Sequence, residues 1–518
     1  MGKIKSLLAG GTLPVLLVLG IFVCVACAGE DSDTPRMVTA AVETPPGDSE
    51  ITDAVDLELL LDEGVSSHLI DVETKEGVVT LSGSVDNILA KERAERITET
   101  IKGVRSIVNL IEVKPVVRKD KELSRDIERA LLIDPAADSY EVEVEADNGI
   151  VTLTGSVESW AEKKLAAHVA KGVKGVKDVK NNITIDYEVD RMDSEIKAEV
   201  ERQLAINPMI DEGLIDVKVE DQKVILSGTV GSTMEKTRVF NDSWVAGVEE
   251  VNDSDLEVEF WAEDEHKREM TPLKTDEEIE AAVKDAFLYD PRVFSFEIDV
   301  DADNGLVTLK GDVDNLKAKK AAAKDARNTE GVWSVDNKID VRPLSPPTDE
   351  EIEQNVKEAM LWNPVVERFE LTVYVRNQKV FLYGKVDSEY EKMEAEDVAS
   401  RTNGVVAVEN NIEVEEVWVW KSDKAIKKDI EQQLSWSVFV DEEEIDVSVD
   451  NAIAMLEGEV DSIAELDAAI KDAFDGGARR VVNRLTIDEY PDYYPDIYFR
   501  DYEWPFWPTW PHWPPFWP

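Results

Sequence analysis

Cysteine is almost missing from this chain of 518 residues: there are two, Cys24 and Cys27, both near the N-terminus. No disulfide framework and no cysteine-based metal site can therefore brace the rest, which must be held by packing. Positive charge is also short, with 57 Lys and Arg against 111 Asp and Glu, a formal net charge of -54. That balance excludes nucleic acid as a partner, because phosphates need clustered Lys and Arg to release their counterions. It also repels anionic lipid headgroups, so any membrane contact needs a second source of attraction. Motifs for chemistry are lacking too: there is no phosphate-cradling loop and no nucleophile motif. Neither enzymatic activity nor a cofactor is expected.

One uncharged apolar run stands out, from Leu13 to Ala28, preceded by Lys3 and Lys5 and followed by Glu30-Asp31-Ser32-Asp33. This is the layout of a secretory signal. Its end, Cys24-Val25-Ala26-Cys27, resembles a bacterial lipoprotein signal, in which a cysteine is lipidated and becomes the mature N-terminus. The position three before that cysteine is usually Leu and here is Cys24. Three readings of residues 1–27 stand side by side: a lipoprotein signal with Cys27 as lipid anchor, an uncleaved membrane anchor, and a signal cleaved with release. The expected location is the periplasm or the outer membrane, anchored at the N-terminus. Residues 28–50, with Pro35, Pro45, Pro46 and Gly47, read as a flexible linker.

Beyond it one phrase recurs six times. Val79-Thr80-Leu81-Ser82-Gly83-Ser84-Val85 returns as Val151-Thr152-Leu153-Thr154-Gly155-Ser156-Val157, and again around Gly228, Gly311, Gly384 and Gly458, at spacings of 72, 73, 83, 73 and 74 residues. A second glycine follows each after 19 or 20 residues: Gly103, Gly175, Gly247, Gly331, Gly404 and Gly477. It opens a closing phrase such as Gly175-Val176-Lys177-Asp178-Val179-Lys180-Asn181-Asn182-Ile183. Two anchors at a fixed offset mark a repeated structural unit.

Within a unit the apolar period changes in a fixed order. Ile279, Val283 and Phe287 lie one helical face apart, behind the acids Asp276, Glu277 and Glu278, which suit a helix N-terminus. Pro135, Pro208, Pro291 and Pro364 stop the first helices of their units. Strict alternation in Glu141-Val142-Glu143-Val144-Glu145, then Asp147-Asn148-Gly149, then Ile150-Val151-Thr152-Leu153, gives strand, tight turn, strand. The spacing predicts a second helix over residues 160–173 and a third strand over 182–185. The order αββαβ, with the glycine after the second strand and the Gly-Val-x-x-Val-x-Asn ending, resembles the BON domain of osmotically induced and lipid-handling envelope proteins. The resemblance covers residues 51–114, 124–187, 194–259, 276–342, 349–416 and 423–488. It implies an α+β array of six modules, each a three-stranded mixed sheet with two helices on one face. Repeat 6 departs most, with Ala452, Ala454 and Gly476-Gly477, and repeat 3 has Asp221-Gln222-Lys223 in place of the Asn-Gly turn.

The strand glycines read as backbone positions, serving either a conformation closed to other residues or the close approach of a helix, with direct ligand contact as the alternative. The second glycines read as left-handed caps of the second helix, each followed by a docking Val. The histidines, His68, His168, His266 and His512, share no repeat position, so no common site includes one. Asp299, Asp301 and Asp303 have the look of a calcium loop, but Asn304 and Lys310 occupy the places where the EF-hand needs Gly and an acid. Alternation puts the three aspartates on one solvated strand face instead, and no metal is expected.

The tail, residues 489–518, is aromatic and proline-rich. Trp504, Trp507, Trp510 and Trp513 recur every third residue, each followed by proline, and Trp517 closes the series. In polyproline II, with three residues per turn, the first four indoles form one stripe about 9 Å apart. Such a stripe suits a lipid interface or a cell-wall glycan, and the plainer alternative is a disordered tail that docks on the chain's own modules or mediates self-association. The resemblance implies a non-catalytic envelope protein that contacts phospholipid or envelope proteins during stress, its six modules forming a long acidic spacer. The alternative is a structural or adhesive surface protein with inert modules, whose tail binds lipid or glycan.

Overall fold

The computed structural model describes residues 45–137, 141–187, 191–263, 274–293, 296–366, 369–415, 421–487 and 497–499. Module 2 shows how the residues build one unit. Its first helix, Asp120–Ile133, buries Leu123, Ile127 and Leu131 along one face and carries Asp120 and Glu122 in its first turn. The hairpin pairs Glu141–Asp147 with Ile150–Val157, antiparallel. Val144, Val151, Leu153 and Val157 point into the core while Glu141, Glu143 and Glu145 stay in water. The second helix, Trp160–Lys171, starts where the Ser159 hydroxyl accepts from the Glu162 N–H.

The third strand begins earlier than the sequence pattern predicts, at Asp178, and runs in two pieces, Asp178–Asn181 and Thr184–Ile185, parallel to the second strand. Asn181 closes the first piece and ties it to the second helix. Its side-chain amide donates to the Lys163 carbonyl in the second helix at 2.7 Å, and its oxygen accepts from the Ile183 N–H at 3.4 Å. Asn109, Asn337 and Asn410 make the same pair of bonds in their own modules.

All six modules repeat this plan: the second strand is central, antiparallel to the first and parallel to the third. Two boundaries move. The first helix of module 1 starts at Asp48, inside the stretch read as linker, with the Glu50 carboxylate accepting from the Gly47 N–H. Residues 497–499, inside the stretch read as tail, pair antiparallel with Arg480–Val482 and add a fourth strand to module 6.

The modules do not form an extended spacer. The second helices of modules 1, 2 and 3 close on one another: Lys171 pairs with Glu92 at 2.5 Å, Lys164 donates to Asn241 at 3.1 Å, and Thr237 donates to Glu99 at 3.0 Å. In the second trio Lys317 pairs with Asp397 at 2.6 Å, Lys320 with Glu396 at 2.9 Å and Arg327 with Asp467 at 2.5 Å. The trios are then stitched together in reverse order. Lys102 donates its N–H to the Trp436 carbonyl and Val438 to that of Thr100, joining module 1 to module 6. Lys174 donates to the Trp362 carbonyl and Asn403 to that of Ile133, joining 2 to 5. Glu330 donates to the Ile206 carbonyl, joining 3 to 4. The chain thus doubles back on itself. An amphipathic helix pair with a solvated outer stripe would have favoured a string of beads. Here both sides of the second helix are apolar or ion-paired, as in Ile463–Asp475, whose Ala464, Leu466, Ala468, Ala469 and Phe474 are all buried.

Candidate binding surfaces

The six strand glycines have φ between +115° and +146°. In module 1 a Cβ on Gly83 would run into the Leu69 carbonyl oxygen, and in module 6 one on Gly458 would meet that of Glu444. The close neighbour is thus the residue before the first strand, across the hairpin, which ends a single 3-10 turn, rather than either of the two α-helices. The second glycines also have positive φ, from +82° to +105°, but only Gly477 caps its helix: it directly follows the terminal Gly476, and the N–H groups of Gly477 and Ala478 donate to the Phe474 and Ala473 carbonyls, whereas in the other five modules the helix ends before the glycine is reached. In module 2 the second helix has already ended at Lys171, with Gly172 in the right-handed region, and Gly175 turns the chain afterwards so that Val176 docks in the core. The doubled glycine of module 6 has its own reason: a Cβ on Gly476 would lie 2.7 Å from the Ile430 backbone, where the first helix packs against it.

A feature that sequence reasoning missed clamps every hairpin. The aspartate that opens each first helix turns its carboxylate onto the hairpin tip. Asp48 accepts from Glu76 and Gly77, Asp193 from Asp221 and Gln222, Asp349 from Asn377 and Gln378, and Asp423 from Asn451 and Ala452, at 2.8 to 3.1 Å. Asp120 and Asp276 reach Gly149 and Gly305 at 3.3 and 3.4 Å. These bonds hold Asp48 below the usual carboxylate range. They also let modules 3, 5 and 6 keep the two-residue turn with positive φ at Gln222, Gln378 and Ala452, where no glycine is present. The signal was the same residue type at the first helical position six times, which helix-dipole matching alone would already account for.

The outer faces of the sheets are exposed. Asp299, Asp301 and Asp303 stand on one of them, Asp301 lying 3.7 Å from Lys310. Among the described residues no group of His, Cys, Asp and Glu is placed to hold a metal ion. Module 5 differs: its outer face carries Tyr374, Phe381 and Tyr383, with the Tyr374 and Phe381 rings 6.0 Å apart and Lys379 5.1 Å above Phe381. A second kind of exposed apolar residue sits at one place in the first helix of four modules: Leu60, Leu132, Leu288 and Leu361 are 56 to 67% exposed.

Between modules 1 and 3 lies a groove of about 710 Å³, lined in part by Glu95, Glu99, Arg105, Lys236, Thr237 and Phe240. Arg105 crosses it to Glu259 at 2.9 Å. Burial and the neighbouring Glu95 push Glu99 up to about 7. Nearby, burial pushes Asp242 up to about 7 and Lys164 down to about 7. The indoles of Trp160 and Trp244 stack 5.1 Å apart across the seam between modules 2 and 3. Cys27, the indoles from Trp504 to Trp517, His266 and His512 lie outside the described residues. Among those described, no helix is long and apolar enough to cross a membrane.

Known proteins share this architecture in sequence. The model of the BON domain matches residues 47–115, 119–187, 192–259, 275–343, 348–416 and 422–489. Osmotically-inducible protein Y of Escherichia coli (strain K12) is 34% identical over 143 residues, 26% of this chain and 71% of that protein. Outer membrane lipoprotein DolP of Haemophilus influenzae is 25% identical over 181 residues, 32% of this chain and 92% of that protein. Among solved structures, the C-terminal domain of CdsD from the type III secretion system of Chlamydia trachomatis aligns at 17% identity over 44% of this chain and 100% of its own, with a TM-score of 0.12, too low to carry an argument. With six matches that together span most of its length, the chain belongs to the BON domain family.

Proposed function

We propose that this chain is a non-catalytic binding protein of the bacterial envelope, in which one body of six BON modules contacts phospholipid or envelope partners under osmotic or envelope stress. Relatives named as osmotically inducible and as an outer membrane lipoprotein support the compartment and the setting. The lipoprotein-like ending at Cys27 supports attachment at the N-terminus, on the outer membrane or facing the periplasm.

The observation that carries the lipid side is the exposure of Leu60, Leu132, Leu288 and Leu361 at equivalent helix positions. An acidic surface gives no electrostatic attraction to a bilayer, so apolar residues must supply it. Each leucine that leaves water contributes roughly 1.5 to 3 kcal/mol, and several on one rigid body act together without further entropic loss. Flotation of the full chain with zwitterionic phosphatidylethanolamine–phosphatidylcholine vesicles tests the reading. Bound protein should fall at least tenfold when all four leucines are changed to Ser, with an unchanged circular dichroism spectrum. Equal flotation of the two proteins would overturn the lipid reading.

A further inference from the structure

We infer that the outer face of the fifth sheet is the docking site of this chain's own tail, residues 500–518, held as a polyproline II helix. This goes beyond the envelope-binding reading and does not depend on it.

The face is unlike its five counterparts. Outward positions of the first strand carry Asp71 and Glu73 in module 1, Glu143 and Glu145 in module 2, Asp216 and Glu220 in module 3, Asp299 and Asp301 in module 4, and Asp446 and Asp450 in module 6. Module 5 has Thr372, Tyr374 and Arg376 there, with no acid. On the adjoining strand Phe381 and Tyr383 continue the aromatic surface, and Tyr374 and Tyr383 are 51 and 45% exposed. The carboxylates bordering the rings are neutralised: Lys379 pairs with Glu409 at 2.7 Å and Lys385 with Glu415 at 2.9 Å. The result is a ring platform, low in net charge, on a strongly acidic body.

The tail has the matching chemistry. A threefold period places Pro505, Pro508, Pro511 and Pro514 on one edge of a polyproline II helix and Trp504, Trp507, Trp510 and Trp513 on the next. Aromatic platforms recognise such helices because the proline faces stack on rings and the peptide loses little entropy on docking. Asp501 and Glu503, just before the first indole, meet the positive Arg376 on the same face. The tail is long as well. The chain is last described at residues 497–499, paired to module 6, and residues 500–518 span about 60 Å at 3.1 Å per residue. Module 1 touches both modules 5 and 6, through Tyr390 stacked on Arg93 and through the Trp436 carbonyl.

The test places a photoreactive p-benzoylphenylalanine at Phe506 in the full chain, without lipid, using an equal mixture of isotope-labelled and unlabelled protein. Cross-links should fall within residues 372–385 of the same chain and drop at least fivefold in the Tyr374→Ser/Tyr383→Ser double variant, whose thermal midpoint should match the parent. Cross-links elsewhere, cross-links unchanged in the double variant, or cross-links joining labelled to unlabelled chains, which would mean a second copy is the occupant, each overturn the proposal.

Discussion

On the outer face of module 2, Glu141, Glu143 and Glu145 stand in water; on its inner face Trp160 stacks on Trp244 and Lys164 meets Asn241 of module 3. Both faces are rich in polar or amphipathic residues, yet one is a solvated surface and the other a set of seams. Polarity alone therefore does not say which face of a module is free. What separates the two is pairing: the inner charges have partners on another module, whereas the outer acids of the first strand face solvent. An unpaired charge in the seams would be costly, since burial of an ion without a partner is not compensated.

Substitutions can break or sharpen this contrast. The largest effect is expected where one backbone position supports both faces: Gly458→Val puts side-chain atoms against the Glu444 carbonyl at positive φ and should cost about 4 kcal/mol or more in denaturant unfolding. On the inner face, Trp160→Ala removes the stacked pair with Trp244 and should cost about 3 kcal/mol, read as a lowered thermal midpoint. The seam between modules 1 and 6 gives a pH signature. Burial, helped by Asp475 and opposed by Lys471 and Gln433, pushes Glu58 up to about 7 from an ordinary value of 4.5. The folded protein then keeps that proton to higher pH than the unfolded chain does. This contribution is present in full below pH 4.5 and is lost as pH rises through about 7, by roughly 3 kcal/mol. Glu58→Gln should flatten that slope between pH 5 and 8, and an unchanged slope would remove Glu58 from the seam's energetics. On the outer face, Glu143→Gln should move stability by less than about 0.5 kcal/mol.

The module itself was legible in sequence. Alternation in Glu141–Glu145, the Asn148-Gly149 turn and the helical spacing of Ile279, Val283 and Phe287 each report a purely local preference, and local preferences repeat with the unit. The clamp from Asp48 and its five counterparts was visible as a repeated letter but not as a contact, because its partner lies in a turn that propensity already accounts for. The seams were not legible. Glu92, Lys164, Thr237, Lys320 and Asp467 occupy one place in the second helix, yet they share neither charge nor size. Each is matched to a different residue on a different module, and one-dimensional periodicity carries no trace of such a match. The ring platform of module 5 was readable as Tyr374, Phe381 and Tyr383 but did not stand out until the other five sheets gave it a background.

Arrays in which each unit touches only its neighbours in sequence can gain or lose a copy at little cost. The main-chain bonds from Lys102 to Trp436 and from Val438 to Thr100 withdraw that freedom here. Excising any one unit would orphan a mate far away along the polypeptide, so the number six is locked by the way first meets last, and duplication or deletion of a single copy should be purged rather than tolerated.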